Sequence, residues 1–545
     1  MRFCILDCYV DEPACFGVPP FISPYPRYIF GALADAGVSP DAIDYLTIDG
    51  LRESDYRLNA LYEAVFLIGG AVVPGRYLGS RIGTLAEIRR IAERNPAQGF
   101  AVGGLISRVI GGAANLAPVH NDIEKYAYHR ATGNPHDARR TPAEIARWAR
   151  AGAAVVRRHP RFPHVICEME TFRGCPRDAH CSFCSEGLFG AVEYRDGEDI
   201  ILEIDALIAA GVSRFRLGRQ ADILQYMADF SSSRNGFPRP VPEMIGGILA
   251  SLRARISSGS IALLNVDNAN PGTIANYPDE SALILADLAS TVTPGDTLAL
   301  GIESFDEEVV RRNCLKVMPD GAVRAIEIIN RTAGGRVGTA PALLPGVNLI
   351  HGLDGETTET FARNYRYLSE ILDRGLLVKR INIRQLLPFP GTPLYDRRPR
   401  VTQAVENRFR YYREKIRTEI ELPMLKKIYP PGTVIRGSQV LETRAGYSYG
   451  KQIASYSITA KFPVELERGA FYDALVIGHR ERSLLALPVP VDINTLPRKA
   501  IELIPGIGKK RASEIVMKRP FRDTADLIGM LDGVEDNLRK MIVQG

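Results

Sequence analysis

Three cysteines carry the clearest chemistry in the chain. Cys175, Cys181 and Cys184 lie in ETFRGCPRDAHCSFCSEG (170–187), a C-x5-C-x2-C spacing. Three thiolates on one short loop suit three irons of a 4Fe–4S cube, whose fourth iron then has no protein ligand and is open to a substrate. Zinc would need His180 as a fourth ligand, yet His180 adjoins Cys181 and one tetrahedral ion would take both at awkward angles. Inert buried thiols are the third reading, set against three cysteines within ten residues among Gly174, Pro176 and Gly187.

The surrounding elements must place this loop. It follows a strand signal, HVICEME (164–170), and further strand signals recur at RFRLGR (214–219), IALLNVDN (261–268), TLALGIES (297–304), VNLIHG (347–352) and INIRQLLPF (381–389). Strands alternating with helical stretches imply a parallel α/β architecture, here a partial or full (β/α) barrel over 163–400. Active sites of such barrels form at the C-terminal ends of the strands. Two of those ends are polar: Arg219, Gln220 and Asp222, then Asn265, Asp267, Asn268 and Asn270. Asn265 and Asp267 are two apart and share a strand face. Arg219, Asn265 and Asp267 are therefore the candidate catalytic groups, against the plainer reading of Asx turns leading into Pro271.

Residues 1–125 show the same alternation, with strands at RFCILDCYV, AIDYLTIDG, YEAVFLIGG and GFAVGGLI and an amphipathic helix at TLAEIRRIAERN. They predict a separate parallel-sheet domain, joined by a basic helical connector over 126–162. Residues 401–490 run from a charged helix into short alternating β segments, and 491–545 turn helical. Cys4, Cys8 and Cys15 cluster at the first strand. A strand would hold Cys4 and Cys8 on one face but about 13 Å apart, which opposes a second cluster. The tract YVDEPACFGVPPFISPYPRY (9–28) is either a ligand-facing loop or a stiff connector.

Composition fits an ordinary globular protein of 545 residues, with 46% hydrophobic and 24% charged residues. The net charge of +5 divides unevenly: residues 401–545 hold 24 Lys plus Arg and 17 Asp plus Glu, a net of +7, and the first 400 a net of −2. The basic quarter is where nucleic acid is expected. No run of 18 apolar residues occurs, so no membrane partner is expected, and the N-terminus reads as a strand rather than a signal peptide. Few, clustered cysteines suit a reducing cytoplasm.

The loop Cys181-Ser-Phe183-Cys184 resembles the C-x-aromatic-C half of the cysteine motif of radical S-adenosylmethionine (SAM) enzymes, with five residues rather than three in the first gap. GIESFDEEVVRRN (301–313), NLIHGLDGETTET (348–360) and LLPFPGTPLYD (386–396) resemble later strand ends of that superfamily, in the right order. The resemblance covers about 163–396 and is nearest the branch of tRNA methylthiotransferases and cobalamin-linked radical enzymes. It implies a cluster on Cys175, Cys181 and Cys184 that binds SAM and, once reduced, yields a 5′-deoxyadenosyl radical. It further implies cofactor contacts from Phe183, Gly218, Glu303, Ser304, Gly352, Gly355 and Glu356, and an electron donor such as ferredoxin or flavodoxin. For Gly355-Glu356 the alternative is a simple strand-to-helix turn.

Residues 1–125 resemble the flavodoxin-like, cobalamin-binding type of domain, but its Asp-x-His-x-x-Gly is absent, which leaves cobalamin open. Residues 432–490 resemble the small RNA-binding β-barrel appended to tRNA methylthiotransferases, which makes Lys451, Arg480 and Arg482 candidate phosphate contacts and Tyr447, Tyr449 and Tyr456 candidate stacking platforms. IELIPGIGKKRASEIV resembles a helix-hairpin-helix. There Gly506 and Gly508 would expose backbone N–H groups at a helix start crowded by Lys509, Lys510 and Arg511, a phosphate site. The layout resembles an archaeal-type group of uncharacterised radical SAM proteins with such a tail. The expected function is modification of a nucleic acid, RNA (tRNA or rRNA) before DNA, with methyl or methylthio transfer as the candidate reactions. The alternatives are a radical enzyme acting on a small molecule, lipid or peptide, and a non-catalytic iron–sulfur scaffold that binds nucleic acid.

Overall fold

The computed structural model describes residues 2–70, 80–111, 114–397, 402–452, 456–522 and 524–543. The chain forms two compact units. One comprises residues 1–287, 311–316 and 386–399, the other 288–310, 317–385 and 400–545.

The first unit holds two parallel sheets. One joins Phe3–Asp7, Ile43–Thr47, Ala64–Ile68, Phe100–Gly103 and Leu116–Pro118, which lie 2-1-3-4-5 in chain order. That is the doubly wound, flavodoxin-type order expected of the N-terminal region. Its central strands are buried on both faces, which explains their uninterrupted apolar sequences FCILD and AVFLI. The second sheet joins Ile166–Glu170, Arg214–Arg219 and Leu263–Val266, and its edge strand is Phe21–Ile22, paired in parallel with Ile166 and Cys167. The N-terminal 125 residues are thus not a separate body, because a piece of them completes the sheet that carries the cysteine loop.

The helix Pro24–Asp35 fastens this arrangement. A Cβ on Gly31 would lie 1.9 Å from the Trp148 carbonyl oxygen, and one on Gly152 1.8 Å from that of Arg27. Two bare Cα atoms therefore let Pro24–Asp35 approach Pro142–Ala151 and the turn after it. Beneath the helix, Arg27 is fully buried and pairs with Glu203 at 2.8 Å.

The second unit contains Asp296–Glu303, Leu343–His351 and Arg380–Gln385 as a parallel sheet. All six strands expected within 163–400 form, three in each unit. Val434–Arg444, Tyr447–Gln452, Thr459–Phe462, Phe471–Arg480 and Ser483–Val489 close into a barrel in the order 1-2-3-5-4, the third and fifth strands parallel. This is the connectivity of an OB-fold. The tail is not an independent module: Leu475, Ile477, Leu485 and Leu487 of the barrel share one core with Ile501, Ile515, Leu531 and Ile542.

Candidate functional site

Cys175, Cys181 and Cys184 come together around one recess of about 530 Å³, partly open to solvent, at the C-terminal end of the first unit's second sheet. Asp222, Asn268, Asn270, Arg177 and Lys316 line it with them. Burial pushes the Cys175 thiol up to about 11 and raises that of Cys184 further. Among the described residues, no three His, Cys, Asp or Glu side chains converge as they would on a single metal ion. Three thiolates on one short loop match a 4Fe–4S cube, which takes one thiolate per iron. The donor set fits the cube. His180 is exposed, with its ring over Gly187 and Nε2 3.3 Å from the Cys175 carbonyl.

The loop is held by groups far away in sequence. Arg177 donates to Cys181 Sγ at 3.3 Å and to the Cys314 and Leu315 carbonyls. Ser182 Oγ donates to Asn313 Oδ1, the Ser182 N–H to the Asn313 carbonyl, and Leu394 N–H to the Ser182 carbonyl. Phe183 is half-buried beside these bonds. Glu186 accepts from Gly174 N–H at 3.0 Å and from Arg219 at 2.9 Å.

Arg219, expected among the reacting groups, is 1% exposed and fully occupied here. It bonds Glu186 and the Ala14 carbonyl, and its guanidinium lies 4.7 Å from the Phe189 ring centre. Burial alone would favour its neutral form, and Glu186 overrides that. Its place is behind the cysteine loop, as a positioning group. Gly218 likewise has a structural reason: a Cβ there would strike Arg216 and Glu168, a buried pair 2.6 Å apart.

Glu168, Arg216 and Asn265 lie in register across three neighbouring strands. Arg216 reaches both Glu168 and Asp267. Asn265 is 1% exposed, and neither its amide oxygen nor its nitrogen has a partner; Asp267 Oδ1 is also unpaired. Burial pushes Asp222 up to about 6, although it accepts from Thr273 Oγ1 at 2.6 Å. Asn270 caps the next helix through Gly272 N–H, the Asx geometry anticipated before Pro271.

Sequence reasoning missed Arg177, Glu186 and Lys316; of its two readings of the 9–28 tract, the lining of the recess fits the ligand-facing loop. That tract forms a hairpin, Asp11–Glu12 with Cys15–Phe16, whose Pro13 and Ala14 line the cysteine recess. Asn268 Nδ2 holds it through the Pro13 carbonyl at 3.0 Å. Pro and Gly density was the available signal. Cys4 and Cys8 are fully buried in the core of the flavodoxin-type sheet.

In the second unit, Glu303 ends its strand at φ 68° after a register shift, and Ser304 accepts from Asp306 N–H. Gly352 and Gly355 take φ of 98° and 83°. Glu356 closes their turn, accepting from Gly352 N–H and meeting His351 Nδ1 at 2.8 Å. On the barrel, Tyr447, Tyr449 and Lys451 alternate outward along one strand, while Tyr456 bonds Asn348 at 2.7 Å and packs on Gly346, so it is no stacking platform. In the tail, Gly506 is required by packing, since its Cβ would lie 2.2 Å from the Gly533 carbonyl oxygen. Arg511 Nη1 bonds the Gly506 and Asp532 carbonyls and so ties two turns together. Lys509 and Lys510 are exposed at the start of Lys509–Met517, and the space around Gly508 is open.

No protein-family model matches the chain. Among solved structures it is similar to the radical SAM methyltransferase TsrM from Kitasatospora setae (16% identity, 72% of this chain and 75% of that one, TM-score 0.47). It is also similar to the cobalamin-dependent SAM radical enzyme OxsB (11% identity, 75% and 56%, TM-score 0.45). An uncharacterised protein of Archaeoglobus fulgidus is 37% identical over 536 residues, 97% of each chain. Uncharacterised protein MJ0274 of Methanocaldococcus jannaschii is 38% identical over 517 residues, 89% of this chain and 92% of its own. The chain belongs to the family formed by these uncharacterised proteins of A. fulgidus and M. jannaschii.

Proposed function

We propose that this protein is a radical SAM enzyme that modifies a nucleic acid, RNA before DNA. The observation that carries the class is the recess that Cys175, Cys181 and Cys184 line together, three thiols on one loop as a 4Fe–4S cube would take them. When bound on those thiolates, a 4Fe–4S cluster supplies the electron that splits SAM into methionine and a 5′-deoxyadenosyl radical. The chain's own residues do the rest. Arg177 donates to Cys181 Sγ and fixes its position. Glu186, paired with Arg219, ties the start of the loop at Gly174 to its end. The Pro13–Ala14 hairpin narrows the recess and excludes water. Asn265, Asp267 and Arg216 offer polar groups for a substrate.

The nucleic-acid part rests on the OB-type strand order, the outward tyrosines and lysines of the barrel, and the Lys509–Lys510 helix start, read as a helix-hairpin-helix. Methyl or methylthio transfer is the reaction type proposed.

Anaerobic reconstitution followed by SAM and a strong reductant tests the class. Four irons per chain and 5′-deoxyadenosine are expected, and neither should appear with Cys184→Ala. Four irons with no 5′-deoxyadenosine would leave a non-catalytic cluster and sink the proposal.

A further inference from the structure

The basic side chains of the second unit gather where neither the barrel nor the tail alone would place them. Arg380 starts a strand of the parallel sheet, Arg413 lies on the helix Gln403–Ile416, Arg417 opens its π-helical continuation Arg417–Glu421, and Arg482 sits in the turn between the last two barrel strands. Lys451, on the barrel's second strand, lies across the ladder from Thr459, which pairs with Ser483, the residue after Arg482, while Ile381 N–H donates to Glu421 at the end of the π-helical turn that begins with Arg417. Only two carboxylates approach among the described residues, both at long range: Glu421 is 3.9 Å from Arg380 and Glu414 3.8 Å from Arg417. Neither Lys451 nor Arg482 has a carboxylate within 4 Å among the described residues, and Arg413 Nε is buried without a partner. Burial, with Arg380 and Arg482 beside it, pulls the Lys451 ammonium below the usual lysine range, and burial with Arg380, Arg417 and Arg413 nearby lowers Arg482 against the opposing attraction of Glu421. Five like charges held together are repulsive unless an anion joins them.

The cluster is continuous with an aromatic face. Tyr447, Tyr449 and Lys451 occupy alternate, outward positions of one strand, about 13 Å from first to last at the usual strand rise. Lys461 pairs with Tyr449 across the ladder, and its ammonium lies 3.9 Å from the Tyr447 ring centre. Arg444 stands 4.9 Å from the Tyr449 ring centre. Phenol rings backed by cations, leading into a group of guanidinium ions, match the alternation of base and phosphate in an unpaired strand. A duplex would bury its bases away from the tyrosines, and an acidic peptide would leave the rings unused.

We propose that Arg380, Arg413, Arg417, Arg482 and Lys451 form a phosphate-binding site that continues the Tyr447–Tyr449 face into one track for single-stranded nucleic acid. This deepens the reading above by extending the polymer's binding surface from the barrel onto the strand and helix that carry Arg380, Arg413 and Arg417, and it rests on that reading only for the identity of the polymer.

The test is binding of a 5′-fluorescein 12-mer of uridine to the full-length protein, titrated against KCl from 50 to 300 mM, with inorganic polyphosphate and a duplex of equal charge as controls. Each phosphate of a single strand that the protein ceases to neutralise lowers the slope of log K against log salt by about 0.7. Arg417→Ala with Arg482→Ala is expected to lower it by about 1.4, and Lys at both positions to restore most of the slope. Tyr449→Ala is expected to weaken the 12-mer at least about fivefold with the slope unchanged, and to leave polyphosphate unaffected. An unchanged slope in the double variant overturns the phosphate site. A lowered slope with no effect of Tyr449→Ala, or equal binding of duplex and single strand, overturns the track. Formation of 5′-deoxyadenosine in the same samples reports on the enzyme reading separately, so either can fail alone.

Discussion

Replacing Arg219 with Met should destabilise the first unit by about 3–5 kcal/mol, because it strands a buried carboxylate. Arg219 and Glu186 are 2.9 Å apart with side chains 1% and 2% exposed. Glu186 Oε2 already lacks a partner, so with Arg219 gone only Gly174 N–H remains to compensate the charge. Glu186→Gln should cost less, about 1–3 kcal/mol, since its amide oxygen still accepts from Gly174 while Arg219 keeps the Ala14 carbonyl and Glu170 at 3.8 Å. The double variant removes both charges, and its cost should fall short of the sum of the singles by at least about 2 kcal/mol. Trp148 makes the measurement specific. It is the chain's single tryptophan, fully buried in the first unit, so its fluorescence during urea unfolding follows that unit alone. The same variants should hold fewer irons after reconstitution, because the pair shapes the cysteine loop. Additive costs, or a cost under about 1 kcal/mol for Arg219→Met, would refute the argument that this pair is what holds the loop.

Other expectations follow from single positions. Gly506→Ala forces a side chain onto φ 88° and into the Gly533 carbonyl, so limited proteolysis within 491–545 should speed markedly, whereas Gly508→Ala, with φ −89° and open space, should leave it unchanged. Burial pushes Asp7 up to about 7, against the Tyr9 N–H and Tyr45 hydroxyl bonds that favour its charge. The folded state then binds the extra proton, so stability falls as pH rises from about 4 through 7. Asp7→Asn should remove that slope, melting above the wild type at pH 8 and level with it near pH 4. Gly31→Ala should lower the Trp148 unfolding midpoint by pushing the helix Pro24–Asp35 off its neighbour.

What the sequence conveyed was chemistry and local order. The cysteine spacing and the polar residues at strand ends named the groups of the recess, and strand–helix alternation named most strands of the parallel sheets. Partners were hidden wherever they came from far along the chain. Arg219 looked catalytic because nothing local shows Glu186 or Ala14 against it. Tyr456 looked available because Asn348 is remote, and the bond from Arg511 to the Asp532 carbonyl was hidden for the same reason. The small barrel over 432–490 was anticipated from its resemblance, but the strand pair that closes it was not, since the parallel pairing of Thr459–Phe462 with Ser483–Val489 is not a hairpin pairing that turn residues announce. The sharing of one core by barrel and tail escaped notice because both stretches are apolar enough to suggest cores of their own.

The discontinuity of the first unit bears on timing during synthesis. Cys175, Cys181 and Cys184 leave the ribosome early, yet the groups that fix their loop, Asn313, the Cys314 and Leu315 carbonyls and Leu394, follow more than 120 residues later. At about 5–20 residues per second, the thiols wait on the order of ten seconds or more in an unfinished setting. During that interval they are open to stray metals and oxidants. Iron is therefore best delivered after the second unit's sheet is made and the chain has returned to the first, which ties maturation of the site to completion of nearly three quarters of the polypeptide.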